Sequence, residues 1–302
     1  MCSIILLMAA FEAPDHPAGL FADSTSTIIV PLEHKMNEPM VAKKRVLITG
    51  GGTFLGDAIA AALLAEGADV TLLVRAGAEG KLGGLAQRAR VQIADLWEPS
   101  SLKGRARGIQ TVVHTVGSMT ADPSRGLTYH WLNFVSARNV ANMCVSGGVP
   151  HMVLMSSSRA PWIPNEYLRA KYEAEEYLIR IGLKATIIRA PIAYLRGEPR
   201  KPLYRLASLF GNIPPFSWLG LRRMAPLPVD VIARGVARIT LNPRQTKPIY
   251  AASDLRAHNT GREIRKGISL TAPDMLDPTH PVEPIELLGD EIPFGWTPPG
   301  SS

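Results

Sequence analysis

One pair of residues in this chain has the types and the spacing that proton transfer requires. Tyr167 and Lys171 stand four positions apart in the segment YLRAK, which places both side chains on one face of a helix, one turn apart. An ammonium group at that distance favours the phenolate and lowers the pKa of the tyrosine. The phenol can then exchange a proton with a hydroxyl or carbonyl group while a hydride moves.

Three serines precede this pair in the chain. They occupy positions 156–158, after an apolar run predicted as a strand over 151–155, and the helix that carries the pair is predicted over 165–181. A serine at the end of that strand could polarise the group being converted. YxxxK also occurs by chance, in which case Tyr167 only starts a helix and Lys171 forms a salt bridge. The order of strand, serines and helix favours the catalytic interpretation and leaves the structural one open.

A glycine turn lies nearer the start of the chain. The segment 48–56 reads ITGGGTFLG, between a predicted strand at 46–49 and a predicted helix at 54–66. Glycines there let the backbone approach a pyrophosphate, which then meets the N-terminus of the helix. This context favours a dinucleotide site over a turn without a ligand. The residues predicted to contact the dinucleotide at this turn are Thr49, Gly50, Gly52, Thr53, Phe54, Leu55 and Gly56.

Arg75 bears on which dinucleotide binds. It follows the second predicted strand, at 69–74, where sites selective for NAD usually carry an acidic residue that accepts from the ribose hydroxyls. An arginine can instead pair with a 2′-phosphate. We therefore predict NADP, with NAD the less favoured cofactor, against the alternative that Arg75 only faces solvent.

Alternating strands and helices surround these residues. Further strands are predicted at 91–94, 111–116, 184–189 and 249–252, and further helices at 129–146 and 229–241. Strands that alternate with helices form a parallel sheet covered on both faces. The predicted fold is therefore α/β, a doubly wound parallel Rossmann sheet with a small C-terminal substrate-side lobe.

The chain is predicted to have three parts. Residues 1–43 lack a sustained period and form an arm, residues 44–252 form the NAD(P)-binding domain with its lobe from about 192, and residues 253–302 form a proline-rich extended tail. The apolar start, 1–11, has neither a basic region nor a convincing cleavage site. We interpret it as an over-extended gene start in preference to a signal or an anchor.

Composition narrows the function classes. Of 302 residues, 46% are hydrophobic and 20% are charged, as in soluble globular proteins. The two cysteines, Cys2 and Cys144, are far apart, so we expect neither a disulfide framework nor a metal site, and a cytoplasmic location fits. No apolar stretch reaches the roughly 18–20 residues of a membrane span.

Positive charge is concentrated between Arg196 and Lys247, where ten basic residues accompany only Glu198 and Asp230. Such a region could bind a phosphorylated ligand, a protein complex or an anionic membrane surface, which would place the protein peripherally at the membrane. It could equally be a solvated face. Because no nucleic-acid-binding motif accompanies the charge, we exclude nucleic acid as a partner.

The motifs together resemble the short-chain dehydrogenase/reductase superfamily in its extended and atypical branches. Thr49, Gly50 and Gly56 match the TGxxGxxG turn of that superfamily, although Thr53 replaces its middle glycine. The segment 167–175 matches YxxxKxxxE, and Arg-Ala-Pro at 189–191 is similar to an Arg-Pro motif. These matches extend over about two-thirds of the chain.

The resemblance implies roles for individual residues. Ser158 would polarise the carbonyl, Tyr167 would be the acid/base, and Lys171 would also clamp the nicotinamide ribose. Asn133 is similar to an asparagine that holds the lysine through water. Further cofactor contacts are implied for Asp95 and Leu96 at the adenine, for Thr115, Val116 and Gly117 at the ribose, and for Pro191 at the nicotinamide.

Two functions remain open on this basis. The favoured one is an oxidoreductase or epimerase-type enzyme that transfers a hydride to or from a small-molecule substrate, which the apolar residues of the lobe suggest is hydrophobic. The alternative is a non-catalytic nucleotide-binding accessory subunit, similar to that of respiratory complex I, or a redox sensor. Only nine positions separate Ser158 from Tyr167, and this brevity favours the alternative.

Overall fold

The computed structural model describes residues 43–196, 225–242, 244 and 247–266. All of them belong to one compact unit, Ala42–Ser302. The predicted arm up to residue 42, the lobe from 197 to 224 and the tail after 266 lie outside the described residues.

The described strands form one parallel sheet of seven strands and one short pair. The strands of the sheet are β1 (Arg45–Gly51), β2 (Asp69–Val74), β3 (Arg90–Ile93), β4 (Thr111–His114), β5 (Met152–Ser157), β6 (Ala185–Ala190) and β9 (Ile249–Ala251). They lie in the order β3-β2-β1-β4-β5-β6-β9, with every neighbouring pair parallel. The short pair consists of β7 (Ala193–Tyr194) and β8 (Leu227–Pro228).

Helices connect the strands. They are α1 (Phe54–Ala65), α2 (Leu85–Arg88), α3 (Pro99–Leu102), α4 (Ser136–Ser146), α5 (Asn165–Arg180), α6 (Val229–Leu241), α7 (Ala252–Ala257) and α8 (Gly261–Lys266). A π-helix, His130–Val135, leads directly into α4. None of the helices in the described ranges has the length and hydropathy needed to cross a bilayer.

The sheet is covered on both faces, as the alternation of elements predicts. Val46 and Ile48 of β1 pack in a core with α1 and α6, whereas Leu47 between them packs in a second core with α4. All three side chains are fully buried. Because neighbouring residues of a strand point to opposite faces, one apolar run supplies both cores. The predicted doubly wound fold is thus confirmed.

The strand order reverses between β1 and β4. To one side of this point the chain continues through β2 and β3, and to the other through β5 and β6. A crevice opens there at the carboxyl ends of the strands, which is where open α/β sheets bind ligands. The fold therefore brings the residues that follow β1, β2, β4 and β5 to one edge.

The predicted tail differs from the structure at its start. Residues 252–266 are not extended but form α7 and α8, which pack on α6. The Arg238 guanidinium donates to the carboxylate of Glu263 (2.9 and 3.1 Å) and to the carbonyl of His258 (2.7 Å). These helices have six residues each, too short for an apolar period to show in the sequence.

Candidate functional site

The glycine turn after β1 is closed by hydrogen bonds within itself. The Thr53 hydroxyl donates to the carbonyl of Gly50 (2.6 Å) and accepts from the amide of Gly56 (3.2 Å), so Thr53 is the N-cap of α1. Gly50 has a φ of 97°, and a methyl group on Gly56 would overlap the Gly50 carbonyl oxygen. The sequence needs glycine at both positions, because this turn leaves no room for side chains.

The end of β4 is tied to the same turn. The Thr115 hydroxyl donates to the carbonyl of Thr49 (2.5 Å), and the Thr49 hydroxyl is 2.8 Å from Nδ1 of the buried His114. The strand β4 ends at His114, two residues before the predicted end at Val116. A methyl group on Gly50 would lie 2.5 Å from the Thr115 hydroxyl and 3.0 Å from Val116. The structure thus brings these predicted cofactor residues together.

The loop after β2 lies on the other side of the turn. Val74, the last residue of β2, pairs with Gly51, and the half-buried Arg75 follows it directly. The Ala78 amide donates to the carbonyl of Arg75 (3.0 Å), which closes the loop beside Gly52. Arg75 is therefore placed where the sequence predicted it, at the carboxyl end of β2 and next to the glycine turn.

Asp95 and Leu96 follow β3, which pairs with β2. The Asp95 carboxylate accepts from the amide of Trp97 (2.9 Å), and Leu96 is fully buried. These two residues lie one strand further along the same edge of the sheet. Their predicted contact with an adenine stays a prediction.

The residues around the turn fit a dinucleotide. Glycines stand where the backbone must come close to a phosphate, the first amides of α1 point toward the turn, and Arg75 supplies a positive charge. The predicted residues from β1, β2, β3 and β4 all lie at the carboxyl edge that the strand order opens. The donor set is therefore that of a dinucleotide cradle.

Lys171 is buried on α5 beside the end of β4. Its ammonium group donates to the carbonyls of Met155 (3.2 Å) and Val116 (3.4 Å). Burial lowers the pKa of Lys171 to about 8, and the negative charge of Glu175 opposes that shift. A methyl group on Gly117 would overlap the Lys171 ammonium, so glycine at 117 makes room for it.

Tyr167 lies near Lys171 and is also buried. The Lys171 nitrogen is 5.9 Å from the centre of the Tyr167 ring. Burial raises the pKa of Tyr167 to about 12, against a hydrogen bond with Ser157 that lowers it. The net shift of this pKa is upward and not the lowering predicted from Lys171, because loss of water around the phenol outweighs the hydrogen bond with Ser157 and the charge of Tyr172 adds to the rise.

The three serines have three different partners. The Ser156 hydroxyl donates to the carboxylate of Glu175 (2.5 Å), and the Ser158 hydroxyl donates to the carbonyl of Arg189 (2.7 Å). The Ser157 hydroxyl donates to the carbonyl of Ser158 (3.2 Å), and a hydrogen bond with Ser157 lowers the pKa of Tyr167. Ser158, the residue selected by family resemblance, thus uses its proton on β6 instead of pointing it at the site. The sequence could not separate three identical neighbours, because their partners depend on the register between β5 and β6.

Asn133 fixes the loop that carries Gly117. It is buried in the π-helix, where its side-chain oxygen accepts from the amide of Ser118 (3.0 Å) and its nitrogen donates to the carbonyls of Ser118 (2.9 Å) and Tyr129 (3.0 Å). Asn133 therefore shapes the wall beside Lys171 by direct hydrogen bonds, and its implied water-mediated contact with that lysine stays a prediction.

The buried Glu175 and the half-buried Arg189 form an ion pair behind the site. The Arg189 guanidinium donates to both oxygens of Glu175 (3.1 and 2.5 Å) and lies over the ring of Tyr172, 4.9 Å from its centre. Pro191, predicted to contact the nicotinamide, is buried just after β6 at the same edge. This pair holds α5 against β6 and so keeps Lys171 and Tyr167 in place.

Apolar and aromatic side chains surround Tyr167. Ala160, Ile163 and Leu168 are buried with it, and partly buried aromatic and thioether side chains pack against this cluster. The latter are Met119, Tyr129, Trp162 and Tyr172. The short segment between Ser158 and Tyr167 therefore contributes an apolar wall.

The basic region is largely neutralised where the structure describes it. Arg196 and Arg234 both pair with Asp230, Arg238 pairs with Glu66 and Glu263, and Lys247 pairs with Asp254. Five further basic residues of the region lie outside the described residues, namely Arg200, Lys201, Arg205, Arg222 and Arg223.

Comparison with known proteins decides the family. Residues 50–208, just over half of the chain, match the family of NAD(P)H-binding domains. The chain belongs to the NAD(P)H-binding family. The glycines of the turn, Arg75 and the Tyr167–Lys171 pair all lie inside the matched segment.

The curated relatives are longer proteins. The NAD(P)H-binding protein is 27% identical over 129 residues to the decarboxylating sterol-4-alpha-carboxylate 3-dehydrogenase of Bos taurus, which is 42% of this chain and 34% of that protein. It is 28% identical over 116 residues to the Homo sapiens protein of the same name, which is 38% of this chain and 29% of that one. The matches thus span about a third of each relative.

Solved structures share the fold of the NAD(P)H-binding protein. A double mutant of the dTDP-glucose 4,6-dehydratase DesIV of Streptomyces venezuelae, with NAD bound, has a TM-score of 0.50 and 21% identity over 68% of this chain and 74% of that one. The UDP-glucose 4-epimerase of Thermus thermophilus, also with NAD, has a TM-score of 0.50 and 20% identity over 70% and 81%. These likenesses show that the chain shares a Rossmann-like architecture with both enzymes.

Proposed function

We propose that this NAD(P)H-binding protein is an oxidoreductase or epimerase-type enzyme that transfers a hydride to or from a carbonyl or hydroxyl group. The observation that carries the proposal is the placement of Tyr167 and Lys171 on one face of α5, beside Gly117 and at the carboxyl edge that holds the glycine turn. A helix fixed only for packing would not need a lysine buried at this edge with two carbonyls as its partners.

The side chains divide the proton chemistry between them. A bound nicotinamide would supply or accept the hydride. Because burial raises the pKa of Tyr167 to about 12, this residue holds its proton at neutral pH and can donate it to the oxygen of a carbonyl under reduction. Lys171, whose pKa is lowered to about 8, is still mostly charged at neutral pH and stabilises negative charge that develops at that oxygen. Ser157 is the hydroxyl placed to orient the phenol.

We propose NADP as the preferred cofactor. Arg75 supports this, since it follows β2 directly and its loop closes beside Gly52. A guanidinium group there can form charge-assisted hydrogen bonds with a 2′-phosphate, whereas a ribose hydroxyl gives it no negative charge to pair with.

We propose a hydrophobic substrate. The apolar and aromatic wall around Tyr167 supports this, because such side chains favour burial of apolar surface over binding of a polar sugar. The names of the curated relatives, which refer to a sterol carboxylate, point in the same direction. We also propose a cytoplasmic location. Cys144 is a free, buried thiol, and cytosolic proteins keep their thiols reduced.

A spectrophotometric screen tests the proposed activity. Purified protein is mixed with NADPH and with panels of apolar ketones, quinones and sugar nucleotides, and the loss of NADPH absorbance is followed. We expect oxidation with apolar carbonyl compounds. Tight binding of NADPH without turnover of any panel would contradict the enzyme proposal and favour an accessory or sensing role.

A further inference from the structure

A carboxylate lies inside the glycine turn. Asp57 follows Gly56 in the first turn of α1, and its Oδ1 accepts a hydrogen bond from the amide of Gly52 (2.9 Å). The side chain is half-buried. Amides of this turn are the groups that a Rossmann fold offers to the phosphates of a dinucleotide, so an acidic side chain here holds a donor that an anion would use.

Asp57 and the loop that begins at Arg75 both lie against Gly52. The Gly52 amide donates to Asp57. A methyl group on the Cα of Gly52 would lie 3.1 Å from the carbonyl oxygen of Ala78, which belongs to the loop that begins at Arg75. The arginine attracts phosphate groups and the ionised carboxylate repels them. The charge of Asp57 therefore acts directly on the affinity of this turn for an anion.

The environment of Asp57 makes that charge variable near neutral pH. Burial raises its pKa to about 7, and the hydrogen bond from Gly52 opposes the shift. Charged side chains on the elements that pack against α1, and on the loop after β2, are Arg45, Asp69, Arg75, Glu79, Lys81, Arg88, Asp230, Arg234 and Arg238. Among the described residues none of these contributes to the shift of Asp57, and those on α6 pair with one another and with Glu66 and Glu263.

We propose that Asp57 sets the dinucleotide affinity of the turn, by competing as a carboxylate with the phosphate oxygens for the Gly52 amide and by ceasing to repel them once it is protonated. Binding is then coupled to uptake of a proton. The inference deepens the proposed function, since it requires that the turn binds a dinucleotide, but it does not require turnover or a preference for NADP.

The dissociation constants of NADH and NADPH, measured by nucleotide fluorescence between about pH 6 and about pH 8.5, test this coupling. For the wild type we expect both constants to rise above about pH 7, by at most about tenfold per pH unit. Asp57→Asn keeps an oxygen that accepts from Gly52 but removes the charge, so it should bind both nucleotides more tightly at high pH and lose this dependence. Glu66→Gln, which removes one charge from the other end of α1, should keep the wild-type dependence.

NADH is the cleaner probe, because the 2′-phosphate of NADPH itself titrates at about pH 6. Protonation of the 2′-phosphate affects the binding of NADPH to wild type and to Asp57→Asn alike, so it cancels when the dissociation constants of these two proteins are compared. Equal constants for these two proteins at high pH would overturn the inference while leaving dinucleotide binding intact. Failure of the wild type to bind either nucleotide would overturn both the inference and the proposed function.

A measurement on the wild type alone guards against a variant that does not fold. Calorimetric titration with NADH at about pH 8, repeated in two buffers of different ionisation enthalpy, reports the protons taken up on binding. We expect an uptake that approaches one proton. An observed heat that is the same in both buffers after correction for dilution would mean no uptake and would overturn the inference.

Discussion

Ser157 and Ser158 are neighbours in the chain, yet their hydroxyl groups have different partners. Ser158 donates to the carbonyl of Arg189 in β6, whereas Ser157 contacts Tyr167. A hydroxyl has one proton to donate. The proton of Ser158 is therefore engaged in holding β5 to β6. The Ser157 hydroxyl donates to the carbonyl of Ser158 (3.2 Å), and it is also the serine whose hydrogen bond lowers the pKa of Tyr167.

Alanine substitutions separate these two roles. We expect Ser157→Ala to lower the rate of NADPH oxidation by about tenfold or more, because loss of an oriented hydrogen bond in the transition state costs about that much. Ser158→Ala should lower the melting temperature while its turnover stays near the wild-type rate. Steady-state kinetics and thermal melts of both variants check this, and the reverse order of rates would restore Ser158 as the catalytic serine.

Arg75 gives a second test at the scale of one residue. We expect NADPH to bind more tightly than NADH, and Arg75→Asp to narrow or reverse the difference, since hydrogen bonds to charged groups contribute about 1.5–3 kcal/mol. Lys103→Asp makes the same change of charge on an exposed lysine after α3 and should leave the ratio of the NADH and NADPH dissociation constants unchanged. Fluorescence titrations give the ratio for each protein. Equal affinities of the wild type for both nucleotides would contradict this assignment.

At the scale of elements, α6 connects the Rossmann core to α7 and α8. Gly235 of α6 lies so close to Leu255 of α7 that a methyl group there would be 3.0 Å from the Leu255 carbonyl oxygen. Arg196, just after β7, donates to the carbonyls of Glu263 (3.2 Å) and Ile264 (2.8 Å). Close packing and ion pairs thus hold the two short helices on the domain.

Glu263 is the centre of this contact. Its hydrogen bonds with Arg238 lower its pKa to about 2, so its contribution to stability is present above the unfolded-state pKa near 4 and is lost as the pH falls toward 2. We expect Glu263→Gln to reduce the free energy of unfolding at neutral pH by about 2 kcal/mol. Denaturant unfolding at neutral pH and near pH 3 measures this. If Glu263→Gln reduced the free energy of unfolding by as much near pH 3 as at neutral pH, the ion-pair account would be contradicted.

Sequence patterns predict these elements unevenly, for physical reasons. The strand at 69–74 and the helix at 229–241 are confirmed to the residue, because long apolar periods define them. α7 and α8 are too short to show a period, and their stability comes from contacts with Arg196 and Arg238. The partners of the serines and the position of Asp57 against Gly52 depend on strand register and on the path of the turn, which composition and spacing do not encode.

At the scale of the whole molecule, the described core begins with β1. Val46 is the first residue of the two cores, and Lys44 just before it donates to the carbonyl of Thr240 (2.7 Å) at the end of α6. The cofactor cradle and the Tyr167–Lys171 pair are both built from residues after this point. We therefore predict that the folding unit and the proposed activity do not depend on the residues before Lys44.

A truncation tests this boundary. We expect a chain without residues 1–39 to keep its melting temperature and its affinity for NADPH, since no residue of the described cores is removed. Thermal melts and nucleotide titrations of the truncated and full chains make the comparison. An insoluble product, or one that does not bind nucleotide, would show that the domain begins earlier.

The central claim is that Tyr167 moves a proton as a hydride is transferred, and one pair of variants tests it most directly. Tyr167→Phe removes only the phenol hydroxyl, and Tyr177→Phe makes the same change on the same helix, where the hydroxyl donates to Asn142 (2.7 Å) away from the site. With the best carbonyl substrate from the screen, Tyr167→Phe should oxidise NADPH about a hundredfold more slowly or worse, with its affinity for NADPH unchanged. Tyr177→Phe should stay near the wild-type rate. A Tyr167→Phe protein that turns over at the wild-type rate would contradict the account.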